Sequence, residues 1–250
     1  MFVVGKSQLE IFRNKRLIFN TDQRPPWPHD LLSDIKQAFV FDSVILMPST
    51  VKYSELLDLT DEPGFVSFTN LKFKTGRLSN IPELIKKNPM LELDASANLY
   101  NSGLLSIHFD FNLQPGNYKH TAVGSLSPMS LLPFNNMIDK SVPISIQSGR
   151  INRLDFEIDF NETKSEGLLY LAYDDFKITV LDLSDNGKKK SKFASFWANN
   201  MILNSKSPKG EVLLPTTISY EKDIQRSIIN YWWKSLYSGA KETIGIKSTE

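Results

Sequence analysis

Ser102-Gly-Leu-Leu-Ser-Ile-His-Phe-Asp-Phe-Asn-Leu113 decides the fold class. From Leu105 through Ile107, Phe109 and Phe111 to Leu113, every second residue is large and apolar, with Ser106, His108, Asp110 and Asn112 between them. Successive side chains of a strand point to opposite faces, so the stretch reads as a strand with one apolar and one polar face. A one-residue slip would turn all five apolar side chains into water, which specifies the register strongly. Just upstream, Leu91, Leu93, Ala95, Ala97 and Leu99 alternate with Glu92, Asp94, Ser96 and Asn98. The short turn Asn101-Ser102-Gly103 then predicts an antiparallel hairpin with a shared apolar face. Downstream, after Ser148-Gly149, Leu154, Phe156, Ile158 and Phe160 alternate with Arg153, Asp155, Glu157 and Asp159 in the same design.

Outward from this core the chain continues as strands and turns. Leu9 to Phe12 and Leu17 to Phe19 flank Asn14-Lys15 and predict a hairpin. Arg24-Pro-Pro-Trp-Pro-His29 holds three prolines and reads as a rigid connection. Phe39 to Met47 and Val51 to Tyr53 read as strands parted by a turn at Pro48-Ser49. The change of parity between Val66, Phe68 and Leu71, Phe73 predicts a bulge near Thr69-Asn70. Ile81 to Lys87, with Pro82-Glu83 in the first turn, reads as a short helix. Tyr118 to Leu126, Ile144 to Phe160 and Gly167 to Leu181 are further strands. A loop with a short helix is expected from Pro128 to Ile138, and a turn at Tyr173-Asp-Asp-Phe176. Ser102-Gly103 with Gly124, then Ser148-Gly149 with Gly167, form a loose internal repeat. Phe193 to Leu203 has helical spacing, Val212 to Tyr220 reads as a strand, and a helix follows from about Glu221. Its stripe is Ile224, Ile228, Trp232, Leu236 and Ala240, widened by Ile229 and Trp233, with Gly239 or Gly245 as its end. Residues 1–185 thus form a sheet segment and 186–250 a helix-strand-helix cap.

Composition excludes several function classes. An apolar share of 41% and a charged share of 23% belong to a folded chain. A formal charge of +1 offers no field for nucleic acid, and with no cysteine there is neither a disulfide nor a thiolate metal site. Met1-Phe-Val-Val-Gly-Lys lacks the basic region and long apolar run of a signal peptide or spanning helix. No phosphate loop, nucleophile elbow or zinc spacing occurs, so a non-enzymatic protein is expected, without cofactor or metal. His108 and His120 on neighbouring strands are metal ligands in one reading and residues on the polar sheet face in the better one. The acidic alternation of Asp155, Glu157 and Asp159 is a solvated strand face. Tyr231, Trp232, Trp233 and Tyr237 either dock the last helix on the sheet or sit at a membrane interface, and their mixed charged neighbours favour docking.

Val51-Lys-Tyr-Ser54 with Gly64-Phe-Val-Ser-Phe68, Ala95 to Phe111, Ser148-Gly-Arg-Ile151, Gly167-Leu-Leu-Tyr-Leu-Ala-Tyr173 to Ile178, and Ser227-Ile-Ile-Asn-Tyr-Trp-Trp-Lys-Ser-Leu236 together show a resemblance. From about Phe39 onward the chain resembles the C-terminal region of AsmA-like proteins of the AsmA/TamB superfamily, in the form found in Bacteroidetes-type bacteria. The resemblance implies a mainly β fold: a long antiparallel sheet curled into a half-open, β-taco-like groove with an apolar lining, plus a C-terminal amphipathic helix. It further implies the periplasmic part of a bacterial envelope protein, anchored in the inner membrane in its full-length form and linked to phospholipid transport and outer-membrane assembly. Its partners would be a phospholipid or other acyl-chain ligand and envelope proteins at the C-terminal end. Against the full-length pattern of that family the chain is short and without an anchor, so a C-terminal fragment or a truncated gene product is expected.

Elementary chemistry agrees that a one-sided sheet must cover its apolar face, and that acyl chains can do so at about 25 cal/mol per Å². The expected groove lining is Leu93, Ala95, Ala97, Leu105, Ile107, Phe109, Phe111, Leu154, Phe156 and Ile158, with Ile224, Ile228, Trp232 and Leu236 on a cap helix. In this reading Phe109→Asp loses lipid and stays folded, and Lys234 and Lys241 face water. The alternative is an extracellular β-sandwich interaction or glycan-binding module in which the same residues form a sealed core.

Overall fold

The computed structural model describes residues 1–18, 24–181 and 204–246. The strands are β1 (Phe2–Val4), β2 (Gln8–Asn14), β3 (Val40–Phe41), β4 (Val44–Leu56), β5 (Gly64–Thr75), β6 (Leu78–Ser79), β7 (Met90–Leu99) and β8 (Gly103–Asn112). They continue as β9 (His120–Leu126), β10 (Met129–Ser130), β11 (Ile144–Phe160), β12 (Lys164–Val180) and β13 (Thr216–Glu221). Helices are α1 (Pro28–Ser33), α2 (Pro82–Lys87), α3 (Asn135–Ser141) and α4 (Ile228–Ile244). Eleven strands join one sheet, in the order β1-β4-β5-β7-β8-β9-β11-β12-β13, with β2 also on β4 and β10 also on β11. It is not closed into a barrel and forms the expected curled, half-open groove.

Strand alternation builds the inner face in rows. Ala97, Leu105, Leu126, Leu154 and Leu171 lie side by side across five strands. The next row is Ala95, Ile107, Gly124, Phe156 and Leu169, and below it run Leu93, Phe109, Ala122, Ile158, Gly167 and Ile218. Gly124 gives its place to a neighbour: a Cβ there would strike the Phe156 ring. The bulge near Asn70 is present, with Asn70 at φ 52° and a register shift between Thr69 and Lys72.

Several expectations change. β2 is no hairpin arm: it pairs in parallel with β4, from Gln8 on Thr50 to Asn14 on Leu56, while Leu17 and Ile18 join no strand and Phe19 lies outside the described residues. The N-terminal hairpin fails because Arg16 is held by Leu57 O, Thr60 O and Asp61, which ties this segment to the β4–β5 loop. Pro48-Ser49 lies inside β4, at a register shift where a missing N–H is tolerated. Tyr173-Asp-Asp-Phe176 is likewise no turn: β12 runs through it, with Asp175 at φ 47° accommodating an irregular register against β11. The Phe193–Leu203 helix lies outside the described residues. The predicted Val212 strand begins only at Thr216, and it adds directly to the sheet beside β12.

The final helix also starts later than expected. Ser227 caps it by accepting the Asn230 N–H, and Gly245, at φ 89°, closes it in the left-handed conformation. Ile224 therefore lies before the helix and is exposed. Gly239 sits mid-helix for a different purpose. A Cβ there would stand 2.9 Å from Ile218 Cγ1 and 3.1 Å from Leu169 Cβ, so its absence lets α4 lie close against β12 and β13.

Candidate functional site

All ten expected lining residues share the inner face, but they have two environments. Ala97, Phe109, Phe111, Phe156 and Ile158 are buried, whereas Leu93, Ala95, Leu105, Ile107 and Leu154 are only half-buried. The buried group belongs to a core that α4 completes. Trp232 packs 4.7 Å from Phe109, and Tyr231 meets the edge of Phe160 at 5.1 Å. Ser235 and Ser165 share a buried hydroxyl–hydroxyl hydrogen bond of 2.7 Å, which lets polar groups lie within this contact. Ile228, Trp232 and Leu236 pack against the core as expected, while Ile229 and Trp233 are 64% and 55% exposed and do not widen the buried stripe.

Phe109 is 7% exposed beneath Trp232, so its expected role at a groove mouth is replaced by one in the core. The other end of the groove is crossed by α3. Asn135 exchanges two hydrogen bonds of 2.8 Å with the backbone of Ile146 on β11, Met137 lies against Gly64 of β5, and Lys140 pairs with Glu62 at 2.8 Å. The apolar face also continues outward. Through Val51 and Phe68, and through Tyr53 and Val66, Leu9 and Ile11 of β2 share it while 52% and 39% exposed. The groove is thus closed under α4 and α3 and open toward β2.

The two histidines part company. His108 pairs with Val123 on the outer face, where Asp94 lies 2.7 Å from its Nδ1 and Asp110 3.4 Å from its Nε2. The hydrogen bond to Asp94 raises its pKa, with Asp110 adding to the effect. His120, expected on the polar face as well, pairs with Phe111 and Phe160 on the inner face and is buried. Val123, opposite His108, occupies an outward, exposed position on the same strand, so the apolar pattern of β9 misleads about its faces.

The outer face holds an open trough of about 1000 Å³ across β4 to β12. Its floor is crossed by the row Lys74, Asp94, His108, Val123, Glu157 and Leu168, a mixture of both charges and apolar groups. Among the described residues no cluster of three or more His, Cys, Asp or Glu could hold a metal ion, and no helix is long and apolar enough to cross a membrane. No protein-family model, curated protein or solved structure matches the chain.

Proposed function

We propose that the protein is a non-enzymatic acyl-chain-binding segment, as the resemblance to AsmA-like envelope proteins implies, with phospholipid as the natural ligand class. The observation that supports this most is the continuity of the inner face. Apolar residues of this face run from the part covered by α4 to the half-buried Leu93, Ala95, Leu105 and Ile107, and by way of Leu99, Phe68 and Val51 to exposed Leu9, with Ile11 beside it; the buried Thr75 opposite Leu93 is a polar neighbour. Water is a poor partner for such a surface, and an acyl chain is a flexible apolar rod of fitting width. In this reading the segment binds on the β2–β7 side, while Phe109, Phe111 and Ile158 belong to the permanent core. A periplasmic setting and a place in lipid movement toward an outer membrane complete the proposal.

The test is organic extraction and native mass spectrometry of protein purified without detergent. Co-purified lipid at near-stoichiometric level is expected, and it should fall several-fold in Ala95→Trp, which fills the half-buried row and leaves the α4 contacts alone. Protein free of lipid, which also takes up none from vesicles of phosphatidylethanolamine and phosphatidylglycerol, would remove the proposal.

A further inference from the structure

One hydrogen bond joins the last helix to the sheet's inner face through a titratable group. Trp232 Nε1 lies 2.9 Å from His120 Nε2. The indole nitrogen can only donate, so His120 Nε2 must carry its lone pair. The other ring nitrogen, Nδ1, lies 3.1 Å from the carbonyl oxygen of Tyr118, which can only accept. Both contacts are satisfied together by one species, the neutral imidazole protonated at Nδ1. The ring cannot easily turn away, because Phe160 stacks parallel to it at 4.5 Å and Phe111 at 5.3 Å. We propose that His120 is a proton-operated latch for α4: neutral, it accepts the Trp232 N–H, and protonated, it presents a second donor to that N–H and frees the helix.

The surroundings oppose a positive charge. α1 brings His29, whose buried Nε2 lies 3.3 Å from Asp30 Oδ1 without a hydrogen bond to it. Trp27 meets the His120 ring edge at 5.7 Å, and Tyr118 closes the same cluster. From the end of β13, Lys222 Nζ stands 5.1 Å over Trp27 and 6.0 Å from Tyr231 of α4, with Arg24, Asp223 and Glu162 around it and Tyr220 beside Tyr231. β8 and β11 contribute the Phe111 and Phe160 rings. Burial accordingly pushes His120 down to about 4 and lowers His29 too, with Asp30 working against the shift at His29. Protonation therefore adds charge where Lys222 already sits, and the Asp30 carboxylate is aimed at the other histidine. Release of the latch would uncover Phe109, Phe111 and Ile158.

Two measurements on the full chain test the latch. The first is ¹⁵N NMR of the imidazole of His120 in the wild-type protein, which should show the Nδ1–H tautomer at pH 7.5 and titration near 4; the Nε2–H tautomer or titration near 6.5 would overturn the proposal. The second is hydrogen exchange of α4 between pH 7.5 and 4, corrected for intrinsic rates. The α4 amides should lose at least ten-fold protection while the β7–β8 hairpin keeps its own. His120→Gln should flatten that pH response and His29→Gln should leave it in place. Loss of α4 protection only in step with the hairpin, no loss at all, or a response abolished by His29→Gln would each overturn it. If His120→Gln does not fold, the wild-type spectra decide the matter alone.

Discussion

Phe109→Asp separates core from groove at a single residue. With Phe109 7% exposed and packed on both Trp232 and Phe111, an aspartate there is an unpaired buried carboxylate, and cooperative thermal unfolding should vanish. Phe109→Ala should cost about 3–5 kcal/mol in urea denaturation, and the half-buried Ile107→Ala only about 1–2 kcal/mol. The pH dependence follows from His120. Its folded pKa near 4 lies below the unfolded value near 6.5, so the unfolded chain takes the proton first. Stability from this group is full above about pH 6.5, falls as the pH drops toward 4, and levels off below. His108, raised by Asp94, acts in the opposite sense: it favours the folded state at acid pH and loses that effect as the pH rises through its folded pKa. Urea midpoints at pH 7.5, 6 and 4.5 should decline in that order, since the His108 side chain is 41% exposed and solvent screens its ion pairs. The face of His120 was hidden in the sequence because Ala122 and Val123 make both parities of β9 apolar, and only pairing with Phe111 and Phe160 resolves it.

Among the elements, α4 depends on a close approach. Gly239→Ala would gain about 1 kcal/mol of helix propensity but force a Cβ against Ile218 and Leu169, an overpacking that costs about 1–3 kcal/mol. Net destabilisation is expected, larger for Gly239→Val, with helical circular dichroism retained and a lowered melting temperature. Truncation after Ser219 removes α4 and the end of β13 and exposes Phe109, Phe111 and Ile158. Light scattering should then show aggregates; a monomer of unchanged stability would mean that α4 does not cover the core. The hairpins of β7–β8 and β11–β12 were readable because alternation of apolar and polar residues persists over their whole length. β2 was not, since nothing local tells an antiparallel return from a parallel pairing more than forty residues away. The irregularities at Pro48 and Asp175 were likewise mistaken for turns: residues that break a strand also fit a bulge, and only the partner strand distinguishes them.

For the whole molecule, the path β4-β5-β7-β8-β9-β11-β12-β13 pairs strands nearly in the order of the chain, so the sheet can grow by adding one neighbour at a time. The inner rows were legible as a set for the same reason, whereas their division into covered and open halves was not, because it depends on where α4 and α3 land. That α4 follows every strand in sequence has a consequence in time. Synthesis runs from the N-terminus at about 5–20 residues per second, so the sheet emerges with its apolar rows bare before the helix that covers half of them exists. A ribosome-tethered chain exposed only through Glu221 should crosslink strongly to a holding chaperone, and one exposed through Ile246 should not. Equal crosslinking would mean that the strands stay unpaired until release. The interval between these two lengths is the time in which the rows of Phe109, Phe111 and Ile158 stand bare, and it ends only with the arrival of the helix.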